Sequence, residues 1–123
     1  MYTLDTNAVI YYAHGDESAV RILDPIFHKH APLYVSTISE IELFGFPSIR
    51  SEEAEQIERF LRAVTIISLD SRIARSAASL RRDYRIRTLD SAIAATALTT
   101  YSSLVTRNIR DFSRIPGLVI VKV

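Results

Sequence analysis

Short runs of β-branched and aromatic residues alternate with longer stretches of helical periodicity along the whole chain. No other feature restricts the fold as much, because parallel strands need long crossovers and helices between successive strands supply them. "MYTLD" predicts a first strand over Tyr2–Asp5 and "PLYVST" a second over Leu33–Ser36. "VTIIS", "SLVT" and "GLVIVKV" read as the third, fourth and fifth. Between them, Asn7 to about Ala13 is helical until Gly15 interrupts. Glu17–His30 carries Ala19, Val20, Leu23, Ile26 and Phe27 in a helical rhythm, and Pro25 inside it predicts a kink or break. "SEIELFGF" is a short helix closed by Gly45 and Pro47. Ser51 predicts the cap of a helix to about Arg62, with Glu52 and Glu53 in its first turn, and Asp70 the cap of another to about Tyr84. "DSAIAATAL" opens a helix that is small and apolar on most sides, hence buried. The pattern predicts a three-layer α/β/α fold around a mainly parallel sheet of about five strands. No repeat, linker or low-complexity segment divides it, so one domain spans residues 1–123.

Composition narrows the classes of function. The chain has 123 residues, 48% of them apolar, enough for one core. The absence of cysteine excludes disulfides and thiolate zinc sites. The three histidines, His14, His28 and His30, supply a His-based metal site poorly. No apolar run reaches the roughly 18 residues of a membrane span, and the first residues lack the pattern of a signal peptide. The expectation is a soluble cytoplasmic protein with no membrane partner. Charge is unevenly spread. Up to Asp70 there are 5 Lys and Arg against 11 Asp and Glu, and from Ser71 onward 10 against 3. The basic half is almost all Arg, including Arg82 and Arg85. Such a half implies either a polyanion partner or ion pairs with the acidic half.

Ligands of open parallel sheets bind beyond the carboxyl ends of the strands. Asp5, Thr6 and Asn7 stand at that end of the first strand. An acid there caps the following helix, but three polar groups are more than a cap needs. After the second strand come Glu40 and Glu42, about 200° apart on a helix, so only one can face a given point. Glu42 is the candidate; Glu40, its rival, reads as the surface residue. Asp90 opens the buried helix, and Thr106, Asn108 and Asp111 follow the fourth strand. Carboxylates about 4 Å apart repel by roughly 4 kcal/mol at an effective dielectric of about 20, which a hard divalent cation relieves. Oxygen-only ligands suit Mg²⁺ or Mn²⁺, and such an ion can activate water against a phosphodiester. An arginine-rich half beside the cleft would then hold a nucleic-acid backbone.

"LDTN", "SEIELFGFP", "LDSAIAATAL" and "LVTRNIRDF" together resemble the four motif regions of PIN domains of the VapC toxin type, in order and over nearly the whole chain. The resemblance implies a metal-dependent endoribonuclease, the toxin of a toxin–antitoxin pair, and a homodimer. It makes Asp5 the first acid, Glu42 the second and Asp90 the third, with Thr6 and Thr106 supporting them by hydrogen bonds. The fourth position is where this chain departs: relatives often have Asp two residues after the Thr, and here stands Asn108, with Asp111 three residues on. The implied ligands of Mg²⁺ or Mn²⁺ are therefore Asp5, Glu42, Asp90 and Asp111, with one well-held metal and a second open. Thr6, Thr106, Asn108, Arg82 and Arg85 are the candidate contacts to RNA.

Two other readings compete. A phosphatase of the haloacid dehalogenase type needs a second Asp two residues after the first, where this chain has Asn7. A catalytically silent RNA- or protein-binding module on the same fold would be marked by a lost core acid, yet Asp5, Glu42 and Asp90 are all present. Phe44, Phe46 and Pro47, with the helix after Ser51, predict spare apolar surface for a second copy or an antitoxin.

Overall fold

Strand β1 (Tyr2–Leu4) lies at the centre of the sheet in the computed structural model, which describes residues Met1–Val123. Beside it run β2 (Leu33–Ser36) and β3 (Thr65–Ile67) on one side, β4 (Ser103–Thr106) and β5 (Ile120–Lys122) on the other, giving the order β3-β2-β1-β4-β5. Every pairing is parallel, with Tyr2 opposite Leu33 and Leu4 opposite Val105. The chain winds outward from β1 in one direction and then returns to wind in the other. The strand order therefore reverses between β1 and β4, and a crevice opens at the carboxyl ends of these two strands.

Helices α1 (Thr6–Ala13), α2 (Glu17–His28), α3 (Thr37–Phe44), α4 (Ser51–Arg62), α5 (Ser71–Tyr84), α6 (Thr88–Thr99) and α7 (Ile109–Phe112) connect the strands. Alternating strand residues feed two cores. Leu4, Val35 and Val105 pack with Val9 of α1, Leu23 of α2 and Leu61 of α4. On the other face Leu104 packs with Ile93 and Ala97 of α6 and Phe112 of α7. Helix α6 is buried continuously from Asp90 to Ala97. Small side chains permit this, since α5 lies over its outer side through Ile73 and Ala77 against Ala95.

Several expectations meet corrections. Helix α2 runs through Pro25 without a break. Pro25 is exposed, so the carbonyl of Arg21 that loses its amide partner turns to water. The cap of α4 is Arg50, not Ser51, and its side chain bonds Glu53 at 2.8 Å instead of a first-turn amide. Helix α6 starts two residues before Asp90. The apolar residues of α4 are not spare surface: Ile57, Phe60 and Leu61 are buried in the first core. Phe46 and Pro47 are exposed as expected, and Ile41 adds to them. Gly45 ends α3 where a Cβ would collide with the carbonyl oxygen of Ile41. No helix is long and apolar enough to cross a membrane.

Candidate active site

The crevice between β1 and β4 begins with Asp5. Its Oδ1 caps α1 by accepting from the Thr6 amide at 2.8 Å, so the capping role is real. Its Oδ2 does something a cap does not require, accepting from the Thr106 hydroxyl at 2.7 Å across to β4. Asp5 is only 5% exposed. Burial pushes its carboxyl up to about 6, the Thr106 and Thr6 hydrogen bonds oppose the rise, and the nearby charges of Asp90 and Glu42 add to it. Asp5 thus sits within electrostatic reach of two other predicted acids.

Glu42 arrives on α3, which starts at the end of β2 with Ser36 as its cap. The Thr6 hydroxyl donates to Glu42 Oε1 at 2.6 Å and lies 2.9 Å from the buried Ser39 hydroxyl. Glu40 makes no hydrogen bond or ion pair, so Glu42 is the acid that α3 turns toward Asp5. Asp90, in the first turn of α6, takes Arg87 on one oxygen: Nε at 3.1 Å and Nη2 at 3.0 Å, both to Oδ2. The Arg87 guanidinium is held above its usual value, first by this hydrogen bond, then by the Asp90 charge, with Asp111 and Glu42 contributing. Beyond β4, the Thr106 hydroxyl accepts from the Asn108 amide at 2.9 Å, and Asn108 Nδ2 donates to Asp111 Oδ2 at 3.2 Å. Asn108 and Asp111 therefore act as a linked pair at the fourth position.

Arg82 and Arg85 are not drawn to the acids. They line a shallow concavity with Arg81, Ala78 and Ile86 near the end of α5, and Arg85 closes that helix in a left-handed conformation at φ 54°. Of the ion pairs, only Arg107–Asp16 joins the basic half to the acidic one; His14–Glu53, Arg50–Glu53 and Arg87–Asp90 stay within their halves. Pairing between halves leaves most of the arginines free. Arg107 itself is locked: it bonds Asp16 at 2.8 Å and the Val123 carbonyl at 2.9 Å, and its guanidinium lies 3.7 Å over the Tyr11 ring.

Sequence reasoning missed two residues at this site. The spacing of Ser39 to Glu42 marked Ser39 only as part of a motif, and its contact with Thr6 is across the fold. Arg87 was one arginine among many; its signal was an Arg three residues before an acid at a helix start.

The donor set is oxygen only, the choice of a hard cation. No three of these side chains stand in ligating arrangement about one point. Their donor type, charge and mutual proximity nevertheless fit a divalent ion. Asp90 uses only Oδ2 and Asp111 only Oδ2, and Glu42 only Oε1, which leaves one oxygen on each without a hydrogen bond. No unpaired polar side-chain atom is buried, so those oxygens face solvent.

Comparison with known proteins places the chain in a family. Residues 2–118 match the family model of the PIN domain. Ribonuclease VapC19 of Mycobacterium tuberculosis is 29% identical over 123 residues, covering 96% of this chain and 97% of that protein. The fold superposes on VapBC2 of Rickettsia felis bound to a DNA fragment from its promoter, with a TM-score of 0.85, 26% identity and coverage of 99% and 98%. A toxin–antitoxin complex from Klebsiella pneumoniae gives a TM-score of 0.78 at 30% identity, covering 97% and 96%. With a match from the first strand to beyond the fourth, and with acids where the motifs put them, the chain belongs to the PIN-domain family.

Proposed function

We propose that residues 1–123 form a single nuclease domain that cleaves RNA internally with the help of Mg²⁺ or Mn²⁺, as the toxin of a toxin–antitoxin pair. One observation carries this reading. Asp5 and Glu42 meet on one residue, Thr6, whose amide donates to Asp5 at 2.8 Å and whose hydroxyl donates to Glu42 at 2.6 Å, and the charge of Asp90 on α6 adds to the burial that raises Asp5 to about 6. Accumulated negative charge of that kind has a purpose when a cation is to be held. A bound Mg²⁺ or Mn²⁺ would supply a nucleophilic water at neutral pH and offset charge on the phosphodiester. Asp5, Glu42 and Asp90 are the residues to hold it, with Asp111 at the weaker fourth place. Thr106 and the Thr6 amide orient Asp5, the Thr6 hydroxyl orients Glu42, and Asn108 orients Asp111. Arg82 and Arg85 offer the RNA backbone unpaired positive charge.

The relatives named ribonuclease and the solved toxin–antitoxin complexes support both the activity and an antitoxin partner. A half-enclosed apolar groove between α1, α3 and α4, lined by Ile10, Leu43, Phe46, Ile49 and Ile57, suits an antitoxin segment. Exposed Ile41 suits a homodimer contact. One observation favours a catalytically silent RNA-binding domain instead, namely that no three acids stand preassembled in ligating arrangement. The same experiment separates the two readings: cleavage of total RNA with and without EDTA, with circular dichroism to verify folding. Asp5→Ala, Asp90→Ala and Glu42→Gln lose nearly all cleavage, the double variant of the two aspartates is little worse than either, and Glu40→Gln stays near wild type. Cleavage that ignores EDTA, or that survives in folded Asp5→Ala, refutes the metal mechanism. No cleavage by the wild type under any metal supports the silent domain.

A further inference from the structure

Arg87 breaks two local rules. It is the N-cap residue of α6, where Ser, Thr, Asp or Asn would accept from a first-turn amide, and it makes no such bond. It also places a cation at the positive end of the helix dipole. Arg50 starts α4 in the same way and pairs with Glu53, so what sets Arg87 apart is the acid it holds.

Its geometry says which function. Nε donates to Asp90 Oδ2 at 3.1 Å and Nη2 lies 3.0 Å from the same oxygen, so one edge of the guanidinium is fixed to an acid of the site. Nη1 makes no protein hydrogen bond, and the Arg87 side chain is 77% exposed while that of Asp90 is 10% exposed. The guanidinium is thus tethered on one edge and offers N–H donors to solvent on another. It stands among acids from three elements, beside Asp90 of α6 and near Glu42 of α3 and Asp111 of α7. A phosphodiester must approach these same carboxylates, and four anions repel it. Arg82 and Arg85 bond none of the acids, and Arg107 is committed to Asp16, Val123 and Tyr11.

Resting on the nuclease reading above, we propose that Arg87 is a catalytic residue of this chain: held by Asp90, it donates hydrogen bonds through its free edge to a non-bridging oxygen of the scissile phosphate. The interaction strengthens as that oxygen gains charge in the transition state, which is where a preorganised donor lowers the barrier. The planar fork matters, because one edge binds the acid while the other binds the phosphate; a lysine cannot do both.

The test uses the whole chain with Mn²⁺ and an RNA that the wild type cleaves. Arg87→Ala folds, since the side chain is mostly exposed, and loses about 100-fold or more in kcat with a smaller change in KM. Arg87→Lys recovers only a small part. Guanidinium ion added to Arg87→Ala restores part of the rate, whereas sodium at equal ionic strength does not. Mn²⁺ affinity, measured by calorimetry without RNA, stays within about threefold of wild type. If Arg87 merely oriented Asp90, Mn²⁺ affinity would weaken by about 10- to 100-fold and guanidinium would not rescue turnover; that result overturns the proposal. Wild-type kcat in Arg87→Ala overturns it too and leaves the nuclease reading intact. Absence of EDTA-sensitive cleavage in the wild type removes the nuclease reading and this proposal with it.

Discussion

Replacing Asp5 by Asn should reverse sign in its effect on stability as pH changes. The Asp5 carboxyl moves from its ordinary 3.8 to about 6 in the folded protein. At about 1.36 kcal/mol per pKa unit, ionised Asp5 costs the metal-free fold about 3 kcal/mol. Its folded pKa lies above its unfolded one, so the folded state binds the proton more tightly. The carboxyl's favourable contribution is complete below pH 3.8, fades as pH rises, and is gone above about pH 6. Asn does not ionise and removes this dependence. It keeps one oxygen for the Thr6 amide but turns an amide nitrogen toward the Thr106 hydroxyl, a mismatch of about 1 kcal/mol at every pH. Asp5→Asn should therefore be about 1 kcal/mol less stable than wild type near pH 3.5 and about 2 kcal/mol more stable near pH 7. Urea unfolding in EDTA, at steps of pH across this window, measures the difference. Taking the difference cancels the half-buried carboxylates Asp16 and Glu53, whose lowered values pull stability the other way. A gap independent of pH, or one in which Asn loses ground as pH rises, refutes the account of Asp5.

Thr106→Val keeps the shape of a fully buried side chain but removes the donor to Asp5 Oδ2 and the acceptor for the Asn108 amide. It should cost about 1–3 kcal/mol in urea unfolding at pH 7, and the Asp5 transition should move to higher pH. Arg82→Ala and Arg85→Ala should weaken RNA binding in EDTA without altering Mn²⁺ affinity. Fluorescence anisotropy across a salt series should show the slope of log K against log salt reduced by about 0.7 for each charge that meets the backbone.

Much of the architecture was legible because parallel α/β chains write it in a simple code. β2 and β4 begin and end where the apolar runs do, and Asp5 and Asp70 cap the helices they were expected to cap. What failed was decided by contacts beyond the local window. Pro25 does not end α2, because the carbonyl it frees faces water. α7 has four residues, too few for periodicity to register, yet it carries Asp111. At the site, acids at strand ends announced themselves by being out of place among apolar neighbours. Helix geometry let only one of Glu40 and Glu42 face the site, the motif beginning at Ser39 chose Glu42, and the Thr6 hydroxyl bonds Glu42. Arg87 escaped notice because its meaning lies in what surrounds its guanidinium, and that is assembled from α3, α6 and α7 only on folding.

The hydrogen bond between Thr106 and Asp5 joins residues 101 positions apart. Its consequence appears during synthesis. β1 is made well before β4 and stays an unpaired centre strand on one side until β4 exists, and long-range parallel pairing is slow to form. A nascent chain that has not reached residue 106 holds Asp5, Glu42 and even Asp90 without the hydroxyl that fixes Asp5 Oδ2 or the strand that forms the other wall of the crevice. If the chain is the toxin proposed here, the cell that makes it is shielded by topology: copies truncated before residue 106 carry Asp5, Glu42 and Asp90 but only one wall of the crevice.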